Sequence, residues 1–137
     1  MLEIELKNKV SELEKLHDKI EEFWNKNNLD TDKMCHINLS LEEIITNIIK
    51  YGYDDESEHI IKIIINLEDQ NVINLEILDD GIEFNPFDHP EPDISIPLEQ
   101  REIGGLGIHL VRNCMDHYSY ERNGKLNKIV LIKNIEQ

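Results

Sequence analysis

Apolar positions change their period along this chain. Leu2, Ile4 and Leu6 alternate with Glu3, Glu5 and Lys7, the two-residue period of a half-exposed strand. From about Lys9 to Lys26 the period lengthens. Val10, Leu13, Leu16, His17, Ile20, Phe23 and Trp24 fall on one stripe of an amphipathic helix. Asn27 to Thr31 reads as a turn, and Asp30 or Thr31 is placed to cap a second helix running from near Asp32 to Tyr51. In that helix Ile37, Leu41, Ile44, Ile45, Ile48 and Gly52 make the buried stripe, while Glu42, Thr46 and Lys50 face solvent. Ser40, Glu43, Asn47 and Tyr51 run along the border between the two faces, one turn apart.

The two-residue period then returns. After the acidic loop Asp54 to Ser57, Ile61, Ile63, Ile65 and Leu67 face the core of a strand over Ile60 to Leu67. Glu68 to Asn71 turns it into a second strand, in which Ile73, Leu75, Ile77 and Asp79 share one face. An acid at the core-facing end of a strand is costly unless hydrogen-bonded, although, taken alone, a turn aspartate capping Asp79-Asp80-Gly81 is the favoured account. From Gly81 to Ile103 the pattern breaks. Pro86, Pro90, Pro92 and Pro97 forbid a long helix, and Asp88, Glu91, Asp93 and Glu99 keep the stretch polar. An irregular segment of that length is usually functional or disordered. Leu106, Leu110, Val111, Cys114 and Met115 stripe a third helix from Leu106 to about Asp116. Tyr118 to Glu121 and Lys128 to Lys133 read as strands joined by an Asn123-Gly124 hairpin turn, with Ile129 and Leu131 on one face. This order predicts an α+β two-layer sandwich, three helices on one face of a mostly antiparallel five-stranded sheet. Asp79 then points between the layers, where a planar base can slide in.

Composition narrows the function. At 137 residues and 39% hydrophobic the chain fits a single domain, 1–137, with a real core. A formal net charge of -15 argues against nucleic acid and anionic membranes as partners, since both repel it. Cys35 and Cys114 have no paired spacing and read as core thiols of a reducing compartment. The N-terminus lacks the apolar run of a signal peptide, and no stretch reaches membrane-spanning length. A soluble, cytoplasmic protein is expected.

Three polar features remain. Glu43 and Asn47 stand one above the other at the rim of the core, an arrangement most often merely solvated. Asp79 closes a core strand. Gly104-Gly105-Leu106-Gly107 turns into a helix N-terminus, where free backbone N–H groups bind phosphate. In this order, Glu43-x-x-x-Asn47, Asp79-x-Gly81 and Gly104-Gly105-Leu106-Gly107 resemble the three ATP-site boxes of the GHKL superfamily, the Bergerat-type fold of gyrase, heat-shock chaperone, histidine-kinase and mismatch-repair ATPases. Within it the chain most resembles the stand-alone anti-sigma-factor serine/threonine kinases. Glu43-Ile44-Ile45-Thr46-Asn47, running on to Tyr51-Gly52-Tyr53, is close to that family's first box, and the similarity extends from about Leu2 to Ile135.

The resemblance implies ATP with Mg²⁺, and a role for each residue. Asp79 accepts a hydrogen bond from the adenine 6-amino group, and Gly81 lets the backbone approach the base. Asn47 ligates Mg²⁺ and Glu43 is the general base. Gly104, Gly105, Leu106 and Gly107 form the phosphate loop, Tyr51 adjoins the first box, and Arg101 reaches the terminal phosphate. Residues 82–103 are the ATP lid, with Ile94, Ile96, Leu98 and Ile103 packing down on closure. The implied function is an ATP-dependent serine/threonine protein kinase and anti-sigma-factor-like regulator that phosphorylates a STAS-domain antagonist in a partner switch. Its partners are a sigma factor or similar regulator and that antagonist. The resemblance also implies a homodimer, made with the help of a first strand at the sheet edge. Two other readings are a non-catalytic nucleotide-binding module that sequesters a regulator and a relic that only dimerises. Two departures stand out: Glu83 occupies the place of the superfamily's second glycine, and Tyr51 a place where related kinases commonly carry histidine. No phosphorylatable histidine helix precedes the domain, which disfavours a complete histidine kinase, and gyrase-like ATPases need further domains.

Overall fold

The computed structural model describes residues 1–88 and 105–135. Its elements follow in the order β1 (Leu2–Lys7), α1 (Leu13–Lys26), α2 (Thr31–Tyr51), β2 (Ile60–Glu68), β3 (Val72–Asp79), α3 (Gly105–Cys114), β4 (His117–Asn123) and β5 (Leu126–Asn134). The strands form one sheet in the order β1-β2-β3-β5-β4, and every neighbouring pair is antiparallel. The expected three helices over a five-stranded sheet are therefore present, with antiparallel pairing throughout. β5 lies between β3 and β4, so Asp79 at the end of β3 faces Asn127 at the start of β5.

The two-residue period selects the covered face. Ile61, Ile63 and Ile65 of β2, Ile73, Leu75 and Ile77 of β3, and Ile129 and Leu131 of β5 are buried. They share one core with Leu16, Ile20 and Trp24 of α1, Leu41, Ile44, Ile45 and Ile48 of α2, and Ile108 and Val111 of α3. Burying each such side chain contributes about 1.5–3 kcal/mol, which fixes the strand registers because a one-residue slip would expose the whole set. Asp79, Asn127 and Lys133 occupy inward positions in the same phase, and all three are buried. Lys133 offsets its burial by donating to the Cys114 carbonyl at the C-terminus of α3.

Local chemistry sets the element ends. Asp30 caps α2 by accepting from the Asp32 amide at 3.0 Å. α1 ends where Asn28 takes φ 54, with Leu29 N–H bonded to the Trp24 carbonyl and Asn28 N–H to the Asn25 carbonyl. The first helical turn differs from the periodicity. Val10–Glu12 form a separate 3-10 turn, α1 begins at Leu13, and Val10 is exposed. In the last hairpin Asn123 pairs with Leu126. Gly124 is thus the first of two loop residues and alone of the two takes a positive φ, +59°. The cysteines correct an expectation. Cys35 is exposed on the solvent side of α2 and Cys114 is half-buried, so only the second is near the core.

Candidate nucleotide site

α2 and α3 pack together and share one core with the covered face of the sheet. That packing carries the border residues of α2 to the start of α3. Gly107 sits so close to the Glu43 carboxyl that a Cβ there would overlap it. One turn on, Asn47 donates from Nδ2 to Glu43 Oε1 at 3.3 Å. A carboxylate is favoured at a helix N-terminus by the free N–H groups and the helix dipole, and Asn47 holds the same carboxylate from behind. Glu43, Asn47 and Gly107 thus converge. Gly105 and Leu106 lie in the first turn of α3, while Arg101, Gly104 and most of the expected lid lie outside the described residues.

Beside this cluster a slot opens between the layers. It is lined by Ile44, Asn47 and Ile48 of α2, Asp79, Asn127 and Ile129 of the sheet, and Ile82, Phe84 and Pro86 beyond Gly81. Apolar walls with one carboxylate at the edge suit a flat heterocycle carrying an amino group. The enclosed space is only about 10 Å³, near the volume a single water needs. A purine needs more room than the slot encloses here.

The Asp79 turn is held from several directions. Asp79 Oδ2 accepts from the Gly81 amide at 2.9 Å and from Asn127 Nδ2 at 3.1 Å. The Ile82 amide bonds the Gly52 carbonyl at 2.8 Å, tying the turn to the end of α2. Gly81 sits against that same carbonyl, where a Cβ would overlap it. Burial pushes the Asp79 carboxyl above its usual range, and the bonds from Asn127 and Gly81 pull it back. Next to it, the His59 ring lies between Asp55 (2.8 Å) and Asp80 (3.0 Å) and stacks on Tyr53 with centroids 4.3 Å apart. The Asp55 hydrogen bond is the largest cause holding the His59 pKa above its ordinary value.

Not every expected residue reaches the slot. Tyr51 is 46% exposed at the end of α2 and does not line it. Glu83 is exposed with a negative φ, so the turn accommodates it where the superfamily usually has glycine, and it does not crowd the slot. Asn127, Tyr120 and Arg122 escaped the sequence reading. A polar side chain in the inward phase of β5 was the available signal for Asn127.

A helix-covered antiparallel sheet, a slot edged by a buried acid, and a glycine at a helix N-terminus beside it define a nucleotide-binding α+β domain. The chain belongs to the histidine kinase-like ATPase domain family, whose pattern matches residues 6–133. It is 28% identical over 90 residues to the anti-sigma F factor of Priestia megaterium, a match covering 66% of this chain and 61% of that protein. To the anti-sigma F factor of Geobacillus stearothermophilus it is 25% identical over 103 residues, covering 75% of this chain and 70% of that protein. Among solved structures, a chain carrying the RsbU and RsbW domains of a Mycobacterium tuberculosis protein superposes with a TM-score of 0.68. The identity there is 8%, with 100% of this chain and 33% of that one covered. The Acinetobacter baumannii histidine kinase AdeS superposes with a TM-score of 0.53 at 14% identity, covering 100% and 69%. These likenesses establish the fold. Among the described residues no helix is long and apolar enough to cross a membrane.

Proposed function

We propose that this chain is an ATP-dependent serine/threonine protein kinase of the anti-sigma type. It binds Mg-ATP and transfers the γ-phosphoryl group to a hydroxyl on a small STAS-domain antagonist. A sigma factor or similar regulator is its other partner, the cytoplasm is its compartment, and β1 at the sheet edge pairs two copies into a dimer. Residues 1–137 act as one domain with 82–103 as lid. The convergence of Glu43, Asn47 and Gly107 beside the Asp79 slot carries this reading. The names of the anti-sigma F factor relatives support the choice of partner.

The residues suit the chemistry. Asn47 Nδ2 is turned to Glu43, which leaves its amide oxygen for a hard cation. Mg²⁺ keeps several waters and takes phosphate oxygens beside one or two protein ligands, and Asn47 would supply such a ligand here. Bound there, Mg²⁺ would neutralise phosphate charge. Amides at the start of α3 face the phosphates, and Glu43 takes the proton of the attacking serine or threonine hydroxyl. The hydroxyl oxygen bonds to the γ-phosphorus as the bond to the β–γ bridging oxygen breaks, and ADP leaves. Arg101, outside the described residues, is the expected partner of the terminal phosphate in this reading. The product carries about -1.5 to -2 extra charge, and repulsion from a chain of net charge -15 promotes its release.

The test is titration with Mg-ATP followed by incubation with labelled ATP and the antagonist. Native chain is expected to bind and label, Asp79→Ala to lose binding, and Glu43→Ala to bind without labelling. Equal labelling by Glu43→Ala removes it as base. Nucleotide and regulator binding without any label leaves the sequestering module.

A further inference from the structure

Asn127 is 3% exposed, a carboxamide deep in the seam between β3 and β5. Its Nδ2 faces three acceptors: Asp79 Oδ2 at 3.1 Å and the carbonyls of Ile82 at 2.8 Å and Gly81 at 3.5 Å. Its Oδ1 faces two donors, the Tyr120 hydroxyl at 2.5 Å and Arg122 Nη1 at 3.1 Å. Arginine only donates and carboxylates and carbonyls only accept, so just one orientation of the amide satisfies both sides. Arg122 Nη1 also donates to the Gly81 carbonyl at 2.8 Å. The amide is therefore clamped between β4 and the Asp79–Ile82 turn.

The consequence falls on the other oxygen of Asp79. Both bonds described for the carboxylate, from Gly81 and Asn127, converge on Oδ2. With Oδ2 committed, the carboxylate is fixed about its last torsion, and Oδ1 is the oxygen left for a ligand. On the reading of the slot as a nucleotide site, a heterocycle bound where Asp79 and Asn127 line it would turn its edge to the carboxylate. A fixed acceptor-only atom there rewards an amino group and repels a carbonyl oxygen. We infer that Asn127, held by Tyr120 and Arg122, is a positioning residue that aims Asp79 at the base and so sets the preference for a 6-aminopurine. The inference rests on the reading of this slot as a nucleotide site. Of the residues it names on β4 and β5, Asn127 lines the slot and Tyr120 and Arg122 stand behind it.

Burial alone would drive Asp79 toward its neutral form, and the Asn127 bond is the largest influence opposing that. Without it Asp79 both rotates and loses part of its charge, and each change weakens acceptance from an amino group.

The test compares ATP with purine riboside triphosphate, which lacks only the 6-amino group, by calorimetric titration. A charged hydrogen bond is expected to favour ATP by about tenfold or more in the native chain. Asn127→Ala is expected to bring that ratio near one while changing affinity for the amino-less analogue by less than roughly threefold. A packing role alone would weaken both ligands together and preserve the ratio, and that result overturns the inference. Should Asn127→Ala fail to unfold cooperatively, Tyr120→Phe is measured instead. It removes one hydroxyl from an edge strand and is expected to lower the ratio part of the way; an unchanged ratio there overturns the inference equally. Native chain that binds neither triphosphate removes the nucleotide reading and the inference with it. Native preference that persists in Asn127→Ala removes the inference alone.

Discussion

Gly81→Ala probes how tightly the second box is built. Glycine is needed there for space, since its φ is not in the left-handed region. An added Cβ would overlap the Gly52 carbonyl oxygen and stand 2.8 Å from Asp79 Oδ2 and 3.1 Å from the Gly52 carbonyl carbon. Two of these three contacts are backbone and cannot rotate away. Relief requires the turn to lift off the end of α2, which stretches or breaks the 2.8 Å bond from the Ile82 amide to the Gly52 carbonyl. Overpacking of this kind costs about 1–3 kcal/mol, and a lost hydrogen bond adds about 0.5–1.5. The sum is about 1.5–4.5 kcal/mol, a fall in Tm of roughly 10 °C for a domain of this size. Because the same displacement moves Asp79, ATP affinity is expected to fall with it. Thermal and urea unfolding with calorimetric ATP titration check both. A Tm within about 2 °C of the native value, with ATP binding intact, would refute the claim that this close approach orders the turn.

Gly107→Ala is the informative contrast, because its Cβ would meet the end of a flexible side chain, Glu43. Glu43 can swing aside, so stability is expected to stay within about 1 kcal/mol while labelled phosphoryl transfer falls roughly a hundredfold. Unchanged transfer would separate the Glu43–Gly107 contact from the chemistry. His59 gives a pH signature. Its folded pKa is raised, chiefly by Asp55 and then by Asp80, so its stabilising contribution is full below the ordinary value of about 6.5 and fades as pH rises through the folded pKa. The Tm difference between native chain and His59→Gln should therefore shrink on going from pH 6 to the mildly alkaline range, as read by scanning calorimetry. A constant difference would mean that the imidazole charge plays no part.

Period and phase made most of the layers legible. The strand phase of Ile73, Leu75 and Ile77 alone put Asp79 inside, and the helix border of α2 put Glu43 and Asn47 together at its rim. Less legible was what depends on contacts between distant segments. The Glu43 carboxyl meets Gly107 only because α2 and α3 pack together. Tyr51 continues the same helical border, yet it ends exposed one turn past Asn47. Asn127 was hidden by a boundary. With the last strand begun at Lys128, its neighbour fell outside the strand, whereas the ladder runs on and pairs Asn127 with Asp79.

The same phase rule, carried one residue further, would have found it. On β5 the inward positions are Asn127, Ile129, Leu131 and Lys133, and both polar members are buried with a defined partner. Isolated polar side chains in a core face are costly, so each must meet its complement across the sheet or on a helix end. For Lys133 that complement is a helix carbonyl, which stabilises packing without involving the slot. For Asn127 it is the one buried acid among the described residues, a group that would itself be costly there unless something holds its charge. Two inward polar residues directly opposite each other at the end of a strand pair, one acidic and one an amide, therefore point to a ligand edge more specifically than either does alone.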